Sequence, residues 1–242
     1  MLRRGGFLLL LLIFLTASVS AGESVLAECW QGLDQAGAGC VECPLGDYAA
    51  DSIRQAVGAD IVLLPAGLLA APLVGDGAIT EADLETAFPD DPAILVVRIS
   101  EETLRALLED GAAHLALNQE ETLDPEASSW DGFLQISGFS VVLDASAPAG
   151  ERVAKLETGR VMVAVPETLG LLGEKTGLTL RDCVRQRLIS GEEIVLPESG
   201  RIRIIGAHQR DLISYVPPGL LAVVLIIVIL GAALSRNRNM QT

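Results

Sequence analysis

Side chains of the types that catalyse reactions or bind metals are sparse in this sequence. Only two histidines occur, His114 and His208, and neither has a second potential ligand at a spacing typical of metal sites, such as H-x-x-x-H or D-x-H. A histidine that stands alone late in a helical segment is more typical of a surface position than of a general base. We therefore expect neither a catalytic metal nor a cofactor.

The cysteines suggest a structural rather than a catalytic role. Cys40 and Cys43 have the C-x-x-C spacing of thioredoxin-type redox sites, but they do not open a helix after a strand in a clear βαβ context. Together with Cys29 and Cys183 they make an even number, which favours two disulfides in an exported protein. Three pairings are possible. We favour Cys29–Cys40 with Cys43–Cys183, because a bridge across two residues is strained.

Asp90 and Asp91 are adjacent carboxylates between Pro89 and Pro92. Two carboxylates can work as an acid–base pair, but consecutive side chains point apart, and these residue types are typical of a turn. No G-x-S-x-G elbow, Gly-rich phosphate loop or G-x-G-x-x-G fingerprint occurs in the sequence. We assign no catalytic residue.

Two apolar stretches flank the rest of the chain. Residues 7–19 follow Arg3 and Arg4 and run into V-S-A, which is typical of a secretory signal peptide cleaved after Ala21. Residues 216–234 carry no charge, and as a helix they would span about 28 Å of a hydrocarbon core that is about 30 Å thick. We expect a signal peptide at 1–21 and one transmembrane helix at 216–234.

The flanks of the second stretch predict its orientation. Arg236 and Arg238 in the polar tail, residues 235–242, favour a cytoplasmic C terminus, and Tyr215 has the position of an interfacial aromatic anchor. A GPI signal is an alternative, but it normally ends in its apolar stretch, whereas this chain continues with polar residues. The prediction is a single-pass cell-membrane protein whose N-terminal domain is extracytoplasmic.

The charge of the chain limits its partners. The formal net charge is −15, and all 32 acidic residues lie between Glu23 and Asp211. Such a negative domain repels nucleic acid and anionic lipid headgroups, and a phosphate ligand would need a local basic pocket. We expect no nucleic-acid partner.

Short helices and strands alternate between the two apolar stretches. A helical pattern begins at Asp47 and closes at Gly58, Thr80 and Ser100 have the position of helix caps, and a helix is predicted at 180–189. Strands are predicted at 61–64, 93–99, 133–136, 139–143, 152–156, 161–165 and 201–205. This mixture predicts an α/β domain with antiparallel hairpins in its middle.

Several segments follow one another in the order of a known family. Residues 42–54, 77–84 and 132–138 read ECPLGDYAADSIR, GAITEADL and GFLQISG. They resemble the E-x-N-L-G-N-L-I-x-D-A-M-R, G-x-I-T-x-x-D-L and F-L-Q-V-S-G patterns of the C-terminal, substrate-recognition domain of 5′-nucleotidases and 2′,3′-cyclic phosphodiesterases. The resemblance covers about 42–205 and implies the mixed α+β sandwich of that domain, between an N-terminal arm at 22–41 and a juxtamembrane linker at 206–215.

The departures from the pattern fall where that family binds nucleotide. The family's N-G-G-G-x-R, whose arginine contacts substrate, is replaced by P-A-G-L-L-A-A around Ala70. The family's P-F-G-N is replaced by a turn that includes Asp90 and Pro92, with Phe88 on the wrong side of the proline. Glu167 begins a shortened segment that lacks the family's second aromatic ring. We interpret Ala70, Asp90, Pro92 and Glu167 as degenerate substrate-binding positions.

The resemblance does not extend to the family's metallophosphoesterase domain, which carries its two metals and catalytic groups. It therefore implies a membrane-anchored module that binds another molecule and is not catalytic by itself. An alternative is a subunit that recognises substrate in trans for a separate, exported metallophosphoesterase in nucleotide hydrolysis. A third possibility is an enzyme with a new site.

Overall fold

The computed structural model describes residues 24–29, 32–73, 77–158, 162–194 and 200–206. The predicted signal peptide at 1–21 and the predicted span at 216–234 lie outside the described residues. Within those ranges, none of the helices combines the length and the apolar character that crossing a bilayer requires.

The described part of the chain folds into five helices and ten strands. The helices are α1 (Pro44–Val57), α2 (Glu81–Ala87), α3 (Glu101–Ala112), α4 (Pro125–Ser128) and α5 (Leu180–Ile189). The strands are β1 (Val25–Ala27), β2 (Ile61–Pro65), β3 (Ile79–Thr80), β4 (Ala93–Arg98), β5 (Leu134–Ser137), β6 (Ser140–Asp144), β7 (Val153–Glu157), β8 (Met162–Pro166), β9 (Glu174–Thr179) and β10 (Ile202–Ile205).

The larger sheet has the strand order β5-β2-β8-β4-β9. Its neighbours β2 and β8 run parallel, and β5, β4 and β9 each run antiparallel to the strand that they join. β2 reads I-V-L-L-P and β8 reads M-V-A-V-P, because strands buried on both faces need apolar side chains on both. The hydrophobic core surrounds these two strands.

Helix α1 packs on this sheet against β2 and β5, and it also packs against α5. Its residues Leu45, Ala49 and Ile53 are fully buried and recur every four positions, so that they form one apolar face. The helix ends at Gly58, whose φ of 66° is the left-handed conformation that glycine adopts without strain. This confirms the predicted end of the helix.

The smaller sheet has the order β10-β6-β7, with β10 parallel to β6 and β7 antiparallel to it. Helix α3 lies against β7, where both Glu109 carboxylate oxygens accept backbone hydrogen bonds from Arg152 and Val153. In the predicted arm, β1 pairs with β3, and Leu33 and Cys40 are buried in the core. The predicted mixed α/β fold is confirmed. Of the hairpins predicted in its middle, the described residues form only β6–β7, because β5 and β8 belong to the larger sheet.

The prediction of two disulfides is wrong. All four cysteines are buried, and no disulfide joins any of them. Cys43 caps α1, and its Sγ accepts a hydrogen bond from the Gly46 amide at 3.3 Å. Cys183 faces the core from α5, and Cys40 follows a tight turn. A bridge requires two Cβ atoms about 3.5–4.5 Å apart, and an even number of cysteines does not ensure that distance.

Candidate functional site

The sheet topology brings three loops to one end of the larger sheet. Because β2 and β8 are parallel, their last residues, Pro65 and Pro166, lie at the same end, and β4 begins there with Ile94 opposite Pro166. The segments 66–71, 89–92 and 167–173 therefore gather at this end, which we call the loop end. It contains all four positions interpreted as degenerate substrate-binding residues.

The first loop is held by its own backbone. The Ala66 and Gly67 amides donate to the carbonyls of Phe133 and Asp131, both at 2.8 Å. A Cβ atom at Gly67 would come within 2.7 Å of the Asp131 Cβ, so the close approach requires glycine. Ala70 is exposed, and its amide donates to the Ala87 carbonyl at 2.9 Å. At this position a ligand would therefore contact only the methyl group of Ala70.

The second loop anchors α5. Asp91 accepts a hydrogen bond from the Arg181 amide at 2.8 Å and lies 3.2 Å from its Nε. Pro92 is buried and its carbonyl accepts from the Leu180 amide at 3.0 Å. Asp90 is exposed, so the carboxylates of Asp90 and Asp91 do not converge on the same substrate position. The turn interpretation of these residues fits the structure, and an acid–base pair does not.

Phe88, the nearest aromatic residue to this turn, is fully buried in the core at the end of α2. Its ring therefore does not face the loop end. The sequence predicted that Phe88 is on the wrong side of Pro89, and the structure gives the physical reason, because the ring contributes to the core.

The third loop starts with a 3₁₀ turn at Glu167–Leu169. The structure brings Glu167 close to Pro92, since its Oε1 accepts a hydrogen bond from the Ala93 amide at 3.4 Å. Its Oε2 lies 3.8 Å from Lys175 Nζ, but both side chains are exposed, so this ion pair adds little stability. Leu172, near the end of the loop, is 98% exposed.

Sequence reasoning missed two cations at this end, Lys175 and Arg181. Arg181 is bound by Asp91 and lies 4.0 Å from Glu85, whereas the one partner of Lys175 among the described residues is the exposed Glu167. The position of these two side chains at the loop end depends on contacts between residues up to 90 positions apart in the sequence, which no local pattern indicates.

The family-like stretch at 133–138 fastens helix α1 to the sheet. Gln135 is fully buried, and its Nε2 donates to the carbonyls of Ala38 and Val41 at 2.8 and 2.7 Å, while its Oε1 accepts from the Cys43 amide at 3.1 Å. A Cβ atom at Gly46 would overlap the Gln135 side chain, which explains why glycine stands there. Gln135 thus holds the segment that leads into α1.

Ser137 continues this fastening one turn further along α1. Its Oγ donates to Asp51 Oδ1 at 2.5 Å and accepts from Arg54 Nε at 2.9 Å. Asp51 also binds Arg201 through both carboxylate oxygens, at 3.0 and 2.8 Å. Burial alone would raise the pKa of Asp51, but the hydrogen bonds from Arg201 and Ser137 lower it. The carboxylate is therefore charged and structural.

The remaining candidates do not gather into a site. His114 lies just beyond α3, where its ring stacks on Trp130 with centroids 4.1 Å apart, and His208 is outside the described residues. Among the described residues, no group of three or more His, Cys, Asp or Glu side chains is placed to hold a metal ion. Cys43 directly precedes α1, but burial raises its pKa to about 11 and also raises that of Cys40, the opposite of an activated redox thiol.

Solved structures share this fold. A 5′-nucleotidase precursor from Thermus thermophilus matches with a TM-score of 0.63 and 23% identity over 75% of this chain and 39% of that one. A putative 5′-nucleotidase from Staphylococcus aureus in complex with alpha-ketoglutarate matches with a TM-score of 0.62 and 12% identity over 75% of this chain and 41% of that one. The sulfate thiohydrolase SoxB of Thermus thermophilus, in complex with glycerol, matches with a TM-score of 0.60 and 18% identity over 77% of this chain and 36% of that one. The chain spans about two fifths of the length of these proteins.

No curated protein matches the sequence. A family model described as the C-terminal domain of 5′-nucleotidase matches residues 17–165, which is more than half of the chain. The match ends at Val165, next to the end of β8 and before the third loop of the loop end. The chain belongs to the 5′-nucleotidase C-terminal domain family.

Proposed function

We propose that this chain is a membrane-anchored, extracytoplasmic module of the 5′-nucleotidase C-terminal domain family that binds a protein partner and does not hydrolyse nucleotides by itself. The anchor is the apolar stretch at 216–234, and export depends on the signal sequence at 1–21. The binding surface is the loop end of the larger sheet.

The observation that carries the proposal is the lack of nucleotide-binding groups in the described loop end. None of its three segments presents an aromatic ring, since Phe88 is buried and Trp130, on the neighbouring segment, stacks on His114. Arg181 is bound by Asp91. Base stacking contributes about 1–3 kcal/mol per ring. A charge-assisted hydrogen bond contributes about 1.5–3 kcal/mol. The loop end therefore offers few groups that could bind the base or the phosphate of a nucleotide.

The same surface is suited to a protein. Ala70 is exposed and Leu172 is 98% exposed, so two of the three loops present apolar side chains to solvent. Contact with a partner at these side chains would be favourable, because it removes apolar surface from water.

A second candidate function is a subunit that acts in trans with a separate, exported metallophosphoesterase. It is favoured by the family match, because the part of a 5′-nucleotidase that this chain matches is the C-terminal domain. In this case the partner at the loop end would be the enzyme that carries the metals.

Calorimetry tests the nucleotide part of the proposal. AMP, UMP and adenosine should bind the full chain in detergent no better than millimolar at low salt, with divalent metal or with EDTA, and no phosphate should be released. A micromolar dissociation constant or phosphate release above the blank would overturn the proposal.

A pair of variants tests the surface. Leu172→Asp should abolish capture of the partner, whereas Ile189→Asp, which changes a side chain 59% exposed on α5, should not. Phosphate release that appears only when a metallophosphoesterase is added would establish the second function. Equal capture by both variants would refute the assignment of the loop end.

A further inference from the structure

A buried group of carboxyls connects α1 to the last described strand. Glu42 lies just before α1, and its Oε2 accepts hydrogen bonds from the Gly200 amide at 2.7 Å and the Ile202 amide at 3.1 Å. These amides flank Arg201, which binds Asp51 on α1. One carboxylate oxygen therefore holds the backbone of the segment 200–202, where β10 begins.

The second carboxyl of the group is Asp47, in the first turn of α1. It is 2% exposed, and the neighbouring Glu42 carboxyl is among the causes that raise its pKa. Without a proton, neither Asp47 Oδ1 nor Glu42 Oε1 has a donor among the described residues, although both atoms are buried. Two ionised carboxylates only accept hydrogen bonds, so a bond between them requires a proton on one. The geometry therefore calls for one shared proton.

The surrounding charges do not remove this requirement. Arg201 on the β10 segment directs both terminal nitrogens at Asp51, and only its charge reaches Asp47 Oδ1, at 3.6 Å. Arg54 of α1 binds Ser137 of β5. Arg187 of α5 lies over the Tyr48 ring. Two further groups face this region from the segment before α1, the Asp34 carboxylate and the Cys43 thiol, which burial keeps neutral.

The electrostatics of Asp47 agree with this geometry. The pKa of Asp47 is raised to about 8. Burial is the largest cause, interaction with the Glu42 carboxyl is the next, the charges of Glu42 and Asp51 add to the rise, and the charge of Arg201 opposes it. Asp51 lies one turn along the same helix, yet its pKa is lowered because Arg201 and Ser137 donate to it. Asp47 lacks such donors.

We propose that Glu42 and Asp47 share one proton in the folded domain, and that this proton latches the segment 200–206 to α1 and releases it as the pH rises. Loss of the proton leaves two carboxylates in contact in a buried place. Glu42, which is half-buried, can escape into water only by giving up the amides of Gly200 and Ile202. The chain continues from Gly206 towards the predicted span at 216–234, so an opening that also separates β10 from β6 would lengthen the tether by about 20 Å.

The sign of the pH effect follows from proton linkage. Asp47 binds its proton up to about pH 8 when the segment is closed, and only up to about pH 4, the ordinary value for aspartate, when it is open. Between these limits each opening releases one proton. The opening constant therefore rises about tenfold per pH unit and levels off above the upper limit.

Hydrogen exchange of the full chain in detergent tests the latch between pH 6 and 9. Protection factors, which correct for the base catalysis of exchange, are measured for the amides of Gly200 and Ile202. They should fall about tenfold per pH unit and become constant above about pH 8. The Leu180 amide, which is held by the Pro92 carbonyl, should show no such slope.

Three variants separate a proton latch from a purely structural contact. Asp47→Asn keeps a donor towards Glu42 but cannot titrate, so the protection of both amides should become independent of pH. Glu42→Gln removes a charge that disfavours ionisation of Asp47, so the slope should end at a lower pH. Asp110→Asn, at an exposed position on α3, should leave the wild-type profile unchanged.

The wild-type profile alone can overturn the proposal, even if a variant does not fold. Protection that is constant from pH 6 to 9 would exclude a shared proton. A tenfold slope that persists in Asp47→Asn would assign the proton to another group and refute the latch.

Discussion

Replacement of Gln135 by leucine is the most direct test of what the family-like residues do. In the folded domain this buried amide makes three hydrogen bonds, two as donor to the carbonyls of Ala38 and Val41 and one as acceptor from the Cys43 amide. Leucine has nearly the same size and none of these groups. Gln135→Leu should therefore leave three backbone groups without partners while it keeps the packing volume.

The expected loss follows from these contacts. A hydrogen bond contributes about 0.5–1.5 kcal/mol net, and a buried backbone group left without a partner costs about 1–3 kcal/mol. The introduced leucine side chain would recover part of this by apolar contact, and the three terms are not additive, because they share one side chain. We expect the free energy of unfolding to fall by about 3–5 kcal/mol, a large part of the 5–15 kcal/mol typical of a domain.

Urea unfolding, followed by tryptophan fluorescence, measures this loss, provided that the slope with denaturant stays the same. The matched control is Gln186→Leu, an exposed glutamine on α5, which should change the free energy by less than about 0.5 kcal/mol. If Gln135→Leu costs no more than the control, the conclusion that this stretch is a structural fastener is refuted.

Three further predictions concern the backbone and the thiols. Gly138→Ala places a Cβ against the Asp60 carbonyl oxygen at a φ of 87°, and should lower the free energy of unfolding by about 2–4 kcal/mol. Gly150→Ala, at a φ of 90° with open space around it, should cost only about 1 kcal/mol in the same urea assay. Thr80→Ala removes the capping box that it forms with Asp83 and should cost about 1–2 kcal/mol; no change in the urea midpoint would contradict the cap. The purified protein should show four thiols per chain with Ellman's reagent in denaturant without reductant and none when folded; two or fewer in denaturant would contradict this expectation, and none would restore the prediction of two disulfides.

Elements with a local chemical boundary were predictable from the sequence. Thr80 and Ser100 cap α2 and α3 as expected, and the last helix has its predicted bounds, 180–189. Proline at the first position and a thiol cap start α1 at Pro44, three residues before the first residue of the helical pattern. Capping and periodicity depend on neighbouring residues, so they can be inferred without the fold.

Elements whose pairing depends on distant partners were not predictable. Strand β9, Glu174–Thr179, reads E-K-T-G-L-T and has no apolar alternation, because it lies at the edge of the sheet and pairs only with β4. The disulfide prediction failed for a related reason, since cysteine number does not report distance. At the loop end, the sequence located the departures from the family pattern but not the contact of Asp91 with Arg181, 90 residues away.

The family-like residues and the departures from the pattern lie in physically different places. Ser137 and Gln135 face the helix side of β5, where the loss of one hydrogen-bonding group threatens folding. The loop end differs, because Ala70, Asp90 and Leu172 are exposed, and changes at such positions cost little stability. A chain that only has to fold would therefore keep the first set and is free to change the second. The family match therefore establishes the fold and is no argument for nucleotide binding, which depends on the groups at the loop end.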